Sequence, residues 1–438
     1  MNRRSIAAFS LVACAVAVGL AFAGWRGLNA REANQVTKAT VTNESPARPD
    51  PATPADARLR AAEGQIKLAP ERPDGYNLLA AAYMQKARET GDFDYNSRAD
   101  AALADSERLA PDNYDALKLR AKLTLIYHRF AEGRDLALRA RDIKPEDHDV
   151  YGALVDAYVE LGDYERAVET AQKMVDLRPD AASYSRVAYL RSLHGDAEGA
   201  IEAMQVAVKA ADPRDPEGVA WYRAHLAEEL LKAGRREEAE REYDRALAVF
   251  PTHALALSGK ARARAAAGDY EAAVEIHRRE ASHDRLLAIA DLYTKLGRAE
   301  EAAKLYAEFE AAERIAAAEE NDLGHLARFW ADRGTNLTEA VEIMRKSRAE
   351  RADIYTCDDL AWALFRNGQI PEARAAIEDA LRTGTRDARI NFHAGMIYNA
   401  LGDRRRAAKH LQLALDTDPA FNVVHAEAAR QTLKALKA

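Results

Sequence analysis

The stretch from Tyr151 to Pro179 reads YGALVDAYVELGDYERAVETAQKMVDLRP, and its pattern decides the fold. Its first eleven residues carry apolar side chains at helical spacing. Gly162 follows, and a glycine accepts the left-handed backbone that ends a helix. The helical pattern returns from Tyr164 to Leu177, and the proline at the end of the stretch stops it. The stretch therefore predicts two short antiparallel helices.

The same punctuation recurs along the chain at a period near 34 residues. Prolines mark it first, at Pro111, Pro145 and Pro179. Glycines continue it toward the C-terminus at Gly162, Gly195, Gly234, Gly268, Gly297, Gly334, Gly368 and Gly402. One helix pair is too thin to bury its own apolar face, so each pair needs the next one. A fixed period of this length is typical of a stacked array and not of separate globular domains.

These units resemble the tetratricopeptide repeat family. The residues of the quoted unit that fall on the pattern of that family are Leu154, Tyr158, Gly162, Tyr164, Ala167, Ala171 and Pro179. The resemblance implies an all-α fold, a right-handed superhelical solenoid of stacked antiparallel helix pairs. It covers about ten repeats within residues 56–438 and implies a hollow, lined by the first helix of each pair, that binds a protein or peptide partner.

The remaining segments predict how the chain is organised around this array. Residues 25–55 carry four prolines near their end and predict a disordered linker. The segment from Glu300 to Asn321 has no proline or glycine. It predicts one overlong helix and a division of the array into two blocks near residues 311–321.

Residues 1–24 are typical of a targeting segment. Arg3 and Arg4 precede an apolar run from Ile6 to Ala23. Cleavage before Gly24 predicts a soluble protein of the bacterial periplasm. The run is also nearly long enough to span about 30 Å of hydrocarbon, so an inner-membrane anchor facing the periplasm is the alternative. Both readings predict an exported chain.

Composition and motifs argue against several function classes. With 63 basic and 70 acidic residues the net charge is −7, which does not favour a nucleic acid partner. The sequence contains no phosphate-binding loop, no zinc-protease helix and no nucleophile elbow. The histidines are scattered singly, and the two cysteines, Cys14 and Cys357, form no ligand pattern. We therefore expect no catalytic, cofactor-binding or metal-binding residues.

Large side chains on the predicted first helices are the candidate contacts for a partner, because buried rings dominate binding energy. They are Tyr189, Trp221, Tyr355, Trp362, Phe365, Phe392 and Met396. The sequence thus predicts a non-catalytic scaffold of the cell envelope that binds a protein or peptide in its hollow. The alternatives are a periplasmic assembly factor or chaperone for secreted polypeptides, and an accessory subunit of an export or cell-wall enzyme complex.

Some members of this family hold the C-terminus of a peptide in a carboxylate clamp, so the resemblance also suggests such a clamp here. Lys118 and Lys122 lie on suitable faces for such a clamp, and Arg186 could assist them. The asparagines that complete the clamp are absent, since alanine stands at position 153 and lysine at position 122.

Overall fold

The computed structural model describes residues 53–280, 282–320 and 323–437, which form 22 α-helices and no strand. The expectations for residues 1–24 and for nearly all of the linker 25–55 lie outside these residues. The first helix, α1, spans Pro54–Leu68, and the last, α22, spans His425–Lys437. None of the described helices combines the length and the apolar composition needed to cross a bilayer.

Between α1 and α22, twenty helices form ten pairs, which we number as repeats 1 to 10. The first helices of the pairs are α2 (Pro73–Thr90), α4 (Tyr114–Ile126), α6 (His148–Glu160), α8 (Ala181–Leu193), α10 (Pro216–Lys232), α12 (Ala254–Ala266), α14 (Asp284–Lys295), α16 (Gly324–Arg333), α18 (Ile354–Arg366) and α20 (Ala388–Ala400). The second helices are α3 (Asp94–Leu109), α5 (Phe130–Ile143), α7 (Tyr164–Leu177), α9 (Ala197–Ala210), α11 (Arg236–Val249), α13 (Tyr270–His277), α15 (Ala299–Glu320), α17 (Leu337–Glu350), α19 (Ile370–Ala380) and α21 (Arg404–Thr417). The structure is an all-α helical solenoid.

The backbone confirms that the predicted glycines end the first helices of the pairs. All eight glycines of the period, from Gly162 to Gly402, have φ between +73° and +84°. This is the left-handed region, in which a side chain is strained. Each of them lies in the loop between the first and second helix of its pair or directly after its first helix.

Small side chains form much of the core. In repeat 3, Ala167 and Ala171 are buried, and the other repeats bury alanines in the same way. Because alanine is small, neighbouring helices approach closely. Cys357 is buried as a free thiol within this core.

Helix α15 is overlong, as the sequence predicts, with 22 residues. Side-chain packing nevertheless continues past it. The ring centroids of Phe309 on α15 and Phe329 on α16 are 5.2 Å apart, and Tyr306 also contacts Phe329. The core thus runs without interruption from repeat 7 into repeat 8.

The array also coils back on itself, a feature that the sequence does not predict. A Cβ atom added to Gly162 in repeat 3 would lie 2.5 Å from the carbonyl oxygen of Ala352, after repeat 8. One added to Gly195 in repeat 4 would lie 2.8 Å from the carbonyl oxygen of Gly384, after repeat 9. The loops of consecutive repeats therefore rest on loops about five repeats further along.

Hydrogen bonds join the two layers at the first of these contacts. The Ala352 amide donates to the carbonyl oxygen of Glu160 at 2.9 Å, and the Ile354 amide donates to the Tyr164 hydroxyl at 2.9 Å. The guanidinium of Arg351 lies 2.8 Å from the Glu160 carboxylate. We call this set the layer contact. It holds repeat 3 against the junction of repeats 8 and 9.

Candidate functional site

A cleft of about 720 Å³ lies beside the layer contact. One wall is residues 127–132, which are the loop between α4 and α5 and the start of α5, and the other is formed by α16, α17 and the start of α18. Apolar and charged side chains both line it, among them Phe130, Ile343, Lys346 and Tyr355. The coiling of the array creates this cleft, because its two walls are about 200 residues apart in sequence.

Tyr355 lines the cleft and is one of the predicted partner contacts. It is half-buried, and burial raises its pKa well above the ordinary value. The hydroxyl of Tyr355 in turn adds to the raised pKa of Tyr189, for which burial is the main cause. Tyr189 keeps 38% of its surface exposed. Both phenols therefore lie in the hollow of the coil, surrounded by protein but within reach of water.

Charged groups surround these two phenols. Burial raises the pKa of Tyr189 most, Glu160 and Asp353 raise it further, and Lys232 lowers it. Burial also raises the pKa of Tyr355, and Arg389 opposes this effect. These groups come from repeats 3, 5, 9 and 10. The hollow therefore offers two aromatic rings with cations and carboxylates beside them, which suits a polypeptide segment of mixed character.

Ion pairs tie successive first helices to one another along the hollow. Arg186 on α8 bonds Asp156 on α6 at 2.6 Å, and Arg389 on α20 bonds Asp359 on α18 at 3.1 Å. Arg328 on α16 lies 3.1 Å from the same Asp359 carboxylate. These pairs fix the spacing of the first helices.

The cations proposed for a carboxylate clamp are engaged in the same way. Lys118 lies 3.0 Å from Asp147, and Lys122 lies 2.7 Å from Asp149. Although burial opposes it, Asp147 and Asp149 raise the pKa of Lys118. Because these lysines and Arg186 already have carboxylate partners, the arrangement does not resemble a clamp waiting for a peptide terminus.

Two of the predicted contact residues are not exposed. Trp362 is 4% exposed and Phe392 is 1% exposed, so the expectation that both rings face the hollow is wrong. The segment leading into α22 covers them. The ring of Phe392 lies 5.5 Å from Phe421 and 5.0 Å from His425. These rings therefore stabilise the C-terminal end of the array.

The other three predicted contacts are half-buried. Trp221 contacts the His225 ring at 3.9 Å, in repeat 5. Phe365 stacks on Trp362 at 5.1 Å, and Met396 packs against the core of the C-terminal repeats. The structure thus brings Tyr189 and Tyr355 together and leaves Trp221 in a separate repeat. A role of these residues in partner binding stays a prediction.

Two groups of described residues have the geometry to hold a metal ion. They are Asp332 with His393 and His425, and Asp284 with His283 and Glu313. In each group the ligand atoms lie within 4.8 Å of one another. The members of the first group come from repeats 8 and 10 and from α22, whereas those of the second come from the two helices of repeat 7 and the residue before them.

Comparison with known families matches three segments of the chain. The tetratricopeptide repeat model matches residues 153–216, 225–285 and 359–420. These segments match that repeat, and they cover repeats 3 and 4, repeats 5 and 6, and repeats 9 and 10. Proteins of tetratricopeptide repeats are in general scaffolds for protein interactions.

Solved structures with tetratricopeptide-like folds are similar only at low identity. The Cut9–Hcn1 hetero-tetramer of APC/C is 13% identical with a TM-score of 0.32, covering 88% of this chain and 96% of that one. PilW, a type IV pilus biogenesis factor, is 18% identical with a TM-score of 0.40, covering 45% and 92%. The human IFIT1 dimer with PPP-AAAA is 13% identical with a TM-score of 0.43, covering 82% and 93%. Scores this low assign no function. No protein of curated function matches the sequence.

Proposed function

We propose that this chain is a non-catalytic scaffold that binds a segment of a protein partner in the cleft beside the layer contact. One observation carries the proposal: the coil forms a cleft of about 720 Å³ that Tyr355 of repeat 9 lines, with Tyr189 of repeat 4 near enough to feel its hydroxyl. Half-buried phenols lose little conformational entropy on binding and contribute large contact areas.

The proposed location is the bacterial envelope. The basic start and the apolar run Ile6–Ala23 support export, as a soluble periplasmic protein or as a chain tethered to the inner membrane. Sequencing the N-terminus of the protein from its native host tests this. A chain that begins near Gly24 supports the soluble form, and an intact Met1 in the membrane fraction supports the tether. Recovery in the cytoplasmic fraction would contradict both.

A photo-cross-linking experiment tests the binding surface. A photoreactive phenylalanine analogue replaces Tyr355 in one chain and Val168 in a control chain. Val168 lies on the second helix α7 and is exposed. We expect Tyr355 to yield a discrete cross-linked partner in native cells and Val168 to yield none.

Substitution then measures how much the two phenols contribute. We expect Tyr355→Ala and Tyr189→Ala each to weaken capture of that partner about tenfold, as for central interface aromatics. Val168→Ala should leave capture unchanged. Equal capture by all three variants would place the binding surface elsewhere on the array.

A further inference from the structure

Three side chains meet where the C-terminal helix closes the array. Asp332 lies near the end of α16, His393 lies within α20, and His425 is the first residue of α22. One ligand atom of each lies within 4.8 Å of the other two. The Nε2 atom of His425 is 3.9 Å from Oδ1 of Asp332.

His393 supplies the second observation. It is 2% exposed, and its Nδ1 atom lies 2.9 Å from Oδ1 of the fully buried Asp358. In the neutral tautomer that donates from Nδ1 to this carboxylate, Nε2 presents a lone pair. Among the described residues, no group forms a hydrogen bond with this buried Nε2. A buried acceptor without a partner costs free energy unless a ligand satisfies it.

We propose that Asp332, His393 and His425 bind a divalent transition-metal ion, with Zn²⁺ as the representative. Two imidazole nitrogens and one carboxylate are a common zinc donor set, and water can occupy the fourth position. The contact of Asp358 with His393 is the carboxylate–histidine arrangement that orients histidine ligands of zinc. Trp362 donates from Nε1 to Oδ1 of Asp332 at 2.8 Å and so holds the third ligand.

The distances are close to those that a metal ion requires. A tetrahedral zinc ion at about 2.1 Å from each ligand places the ligands about 3.4 Å apart. The separation of 3.9 Å between Asp332 and His425 needs only a small closure. The side chain of Asp332 is 39% exposed, so an ion can enter beside it.

The surrounding charges also permit a cation. Arg389 faces the site, but Asp358 at 3.5 Å and Asp359 at 3.1 Å offset its charge. Arg366 is directed to the backbone oxygen of Asp332.

A bound ion would connect three parts of the chain. It would link repeat 8 through Asp332, repeat 10 through His393 and the closing helix α22 through His425. The site therefore differs from the cleft of the proposed function and does not depend on a partner. A bound ion would stabilise the packing of α22 on the C-terminal repeats.

Equilibrium dialysis of the full chain against low-micromolar Zn²⁺ tests this. The protein is kept in mild detergent because of its apolar N-terminal run and is first treated with a chelator. Bound zinc is counted by atomic absorption in the wild type, Asp332→Asn, His425→Gln and the control His325→Gln. His325 is an exposed histidine outside the site. Circular dichroism checks that each variant remains helical.

We expect the wild type and the control to bind about one zinc ion more per chain than either site variant, so that zinc held by His283, Asp284 and Glu313 cancels in the comparison. Co²⁺ in place of zinc should give the visible absorption of a four-coordinate site in the wild type. Asp332→Asn and His425→Gln should not show this absorption. Absence of zinc binding by the wild type would overturn the proposal, and so would equal binding by the site variants and the wild type.

Discussion

At the residue scale, His253 shows how burial controls a titration. Its side chain is 7% exposed and caps helix α12, where Nδ1 accepts a hydrogen bond from the Ala256 amide at 3.3 Å. Burial lowers its pKa to about 4. The ordinary value of histidine, about 6.5, applies to the unfolded chain. Protonation would remove the acceptor, so the folded state needs the neutral ring.

This residue makes the folded chain sensitive to acid. Between pH 6.5 and pH 4 the unfolded state binds more protons at His253 than the folded state, so stability falls as the pH falls. His253→Asn keeps a capping acceptor and does not titrate. On going from pH 7 to pH 4, we expect the free energy of unfolding of the wild type to fall by up to about 3 kcal/mol more than that of His253→Asn. Urea unfolding at both pH values measures this, and the same pH dependence in the two proteins would contradict it.

At the element scale, the start of α18 depends on one buried carboxylate. Asp353 is 2% exposed and accepts from the Tyr355 amide at 2.8 Å and the Thr356 amide at 3.1 Å. Arg351 donates to its other oxygen at 2.9 Å. The cap thus links α18 to the side chain that reaches Glu160 in the layer contact.

Removing this cap should cost more than removing an exposed one. Asp269 caps α13 through a single bond to the Ala272 amide at 3.2 Å, and this bond is exposed to water. We expect Asp353→Ala to lower the free energy of unfolding by about 3 kcal/mol and Asp269→Ala by about 1 kcal/mol, because only the first leaves buried donors without partners. Thermal unfolding of the two variants compares them. Equal losses would show that the Asp353 cap is no more important than an ordinary one.

The elements themselves are predictable from the sequence, because helix ends are local. The proline at position 179 and the left-handed glycines at Gly162 and its equivalents are read directly from residue type. Burial across repeats is not local. Trp362 lies on a first helix, as predicted, but Phe421 and His425 from the closing segment cover its neighbourhood.

The candidate sites cannot be predicted from the sequence either, because they too depend on contacts between distant repeats. His393 and His425 are 32 residues apart, and Asp332 precedes both by more than a repeat. Only the stacking angle between repeats decides that they meet. The cleft cannot be predicted for the same reason, since Tyr355 and residues 127–132 become neighbours only when the array coils back.

At the scale of the whole molecule, the close approach of two layers predicts an asymmetry between equivalent glycines. Gly162 and Gly268 occupy the same position in repeats 3 and 6, with φ of +74° and +84°. A Cβ atom at Gly162 would lie 2.5 Å from the Ala352 oxygen, whereas one at Gly268 would meet no atom within 4 Å. A substitution at Gly162 therefore tests the contact between layers, and one at Gly268 does not.

Alanine at these two positions separates backbone strain from layer contact. Both substitutions strain the left-handed backbone, by about 1–2 kcal/mol. We expect Gly162→Ala to lose about 1–3 kcal/mol more than Gly268→Ala, because it also pushes the layers apart. Thermal unfolding measures the difference. Equal losses would contradict the contact.

The central claim is that the array coils until repeat 3 rests on the junction of repeats 8 and 9, which creates the cleft. Amide hydrogen exchange tests it most directly. Ile354 is the first residue of α18, where an amide has no partner within its own helix, and Ala352 precedes that helix. Within the described part of the chain, the partners of these two amides lie across the layer contact: the Ile354 amide bonds Tyr164 and the Ala352 amide bonds Glu160. We predict slow exchange at Ala352 and Ile354 in the wild type, and faster exchange at Ile354 in Tyr164→Phe. Exchange of both amides at the rate of an open loop in the wild type would contradict the coiled structure.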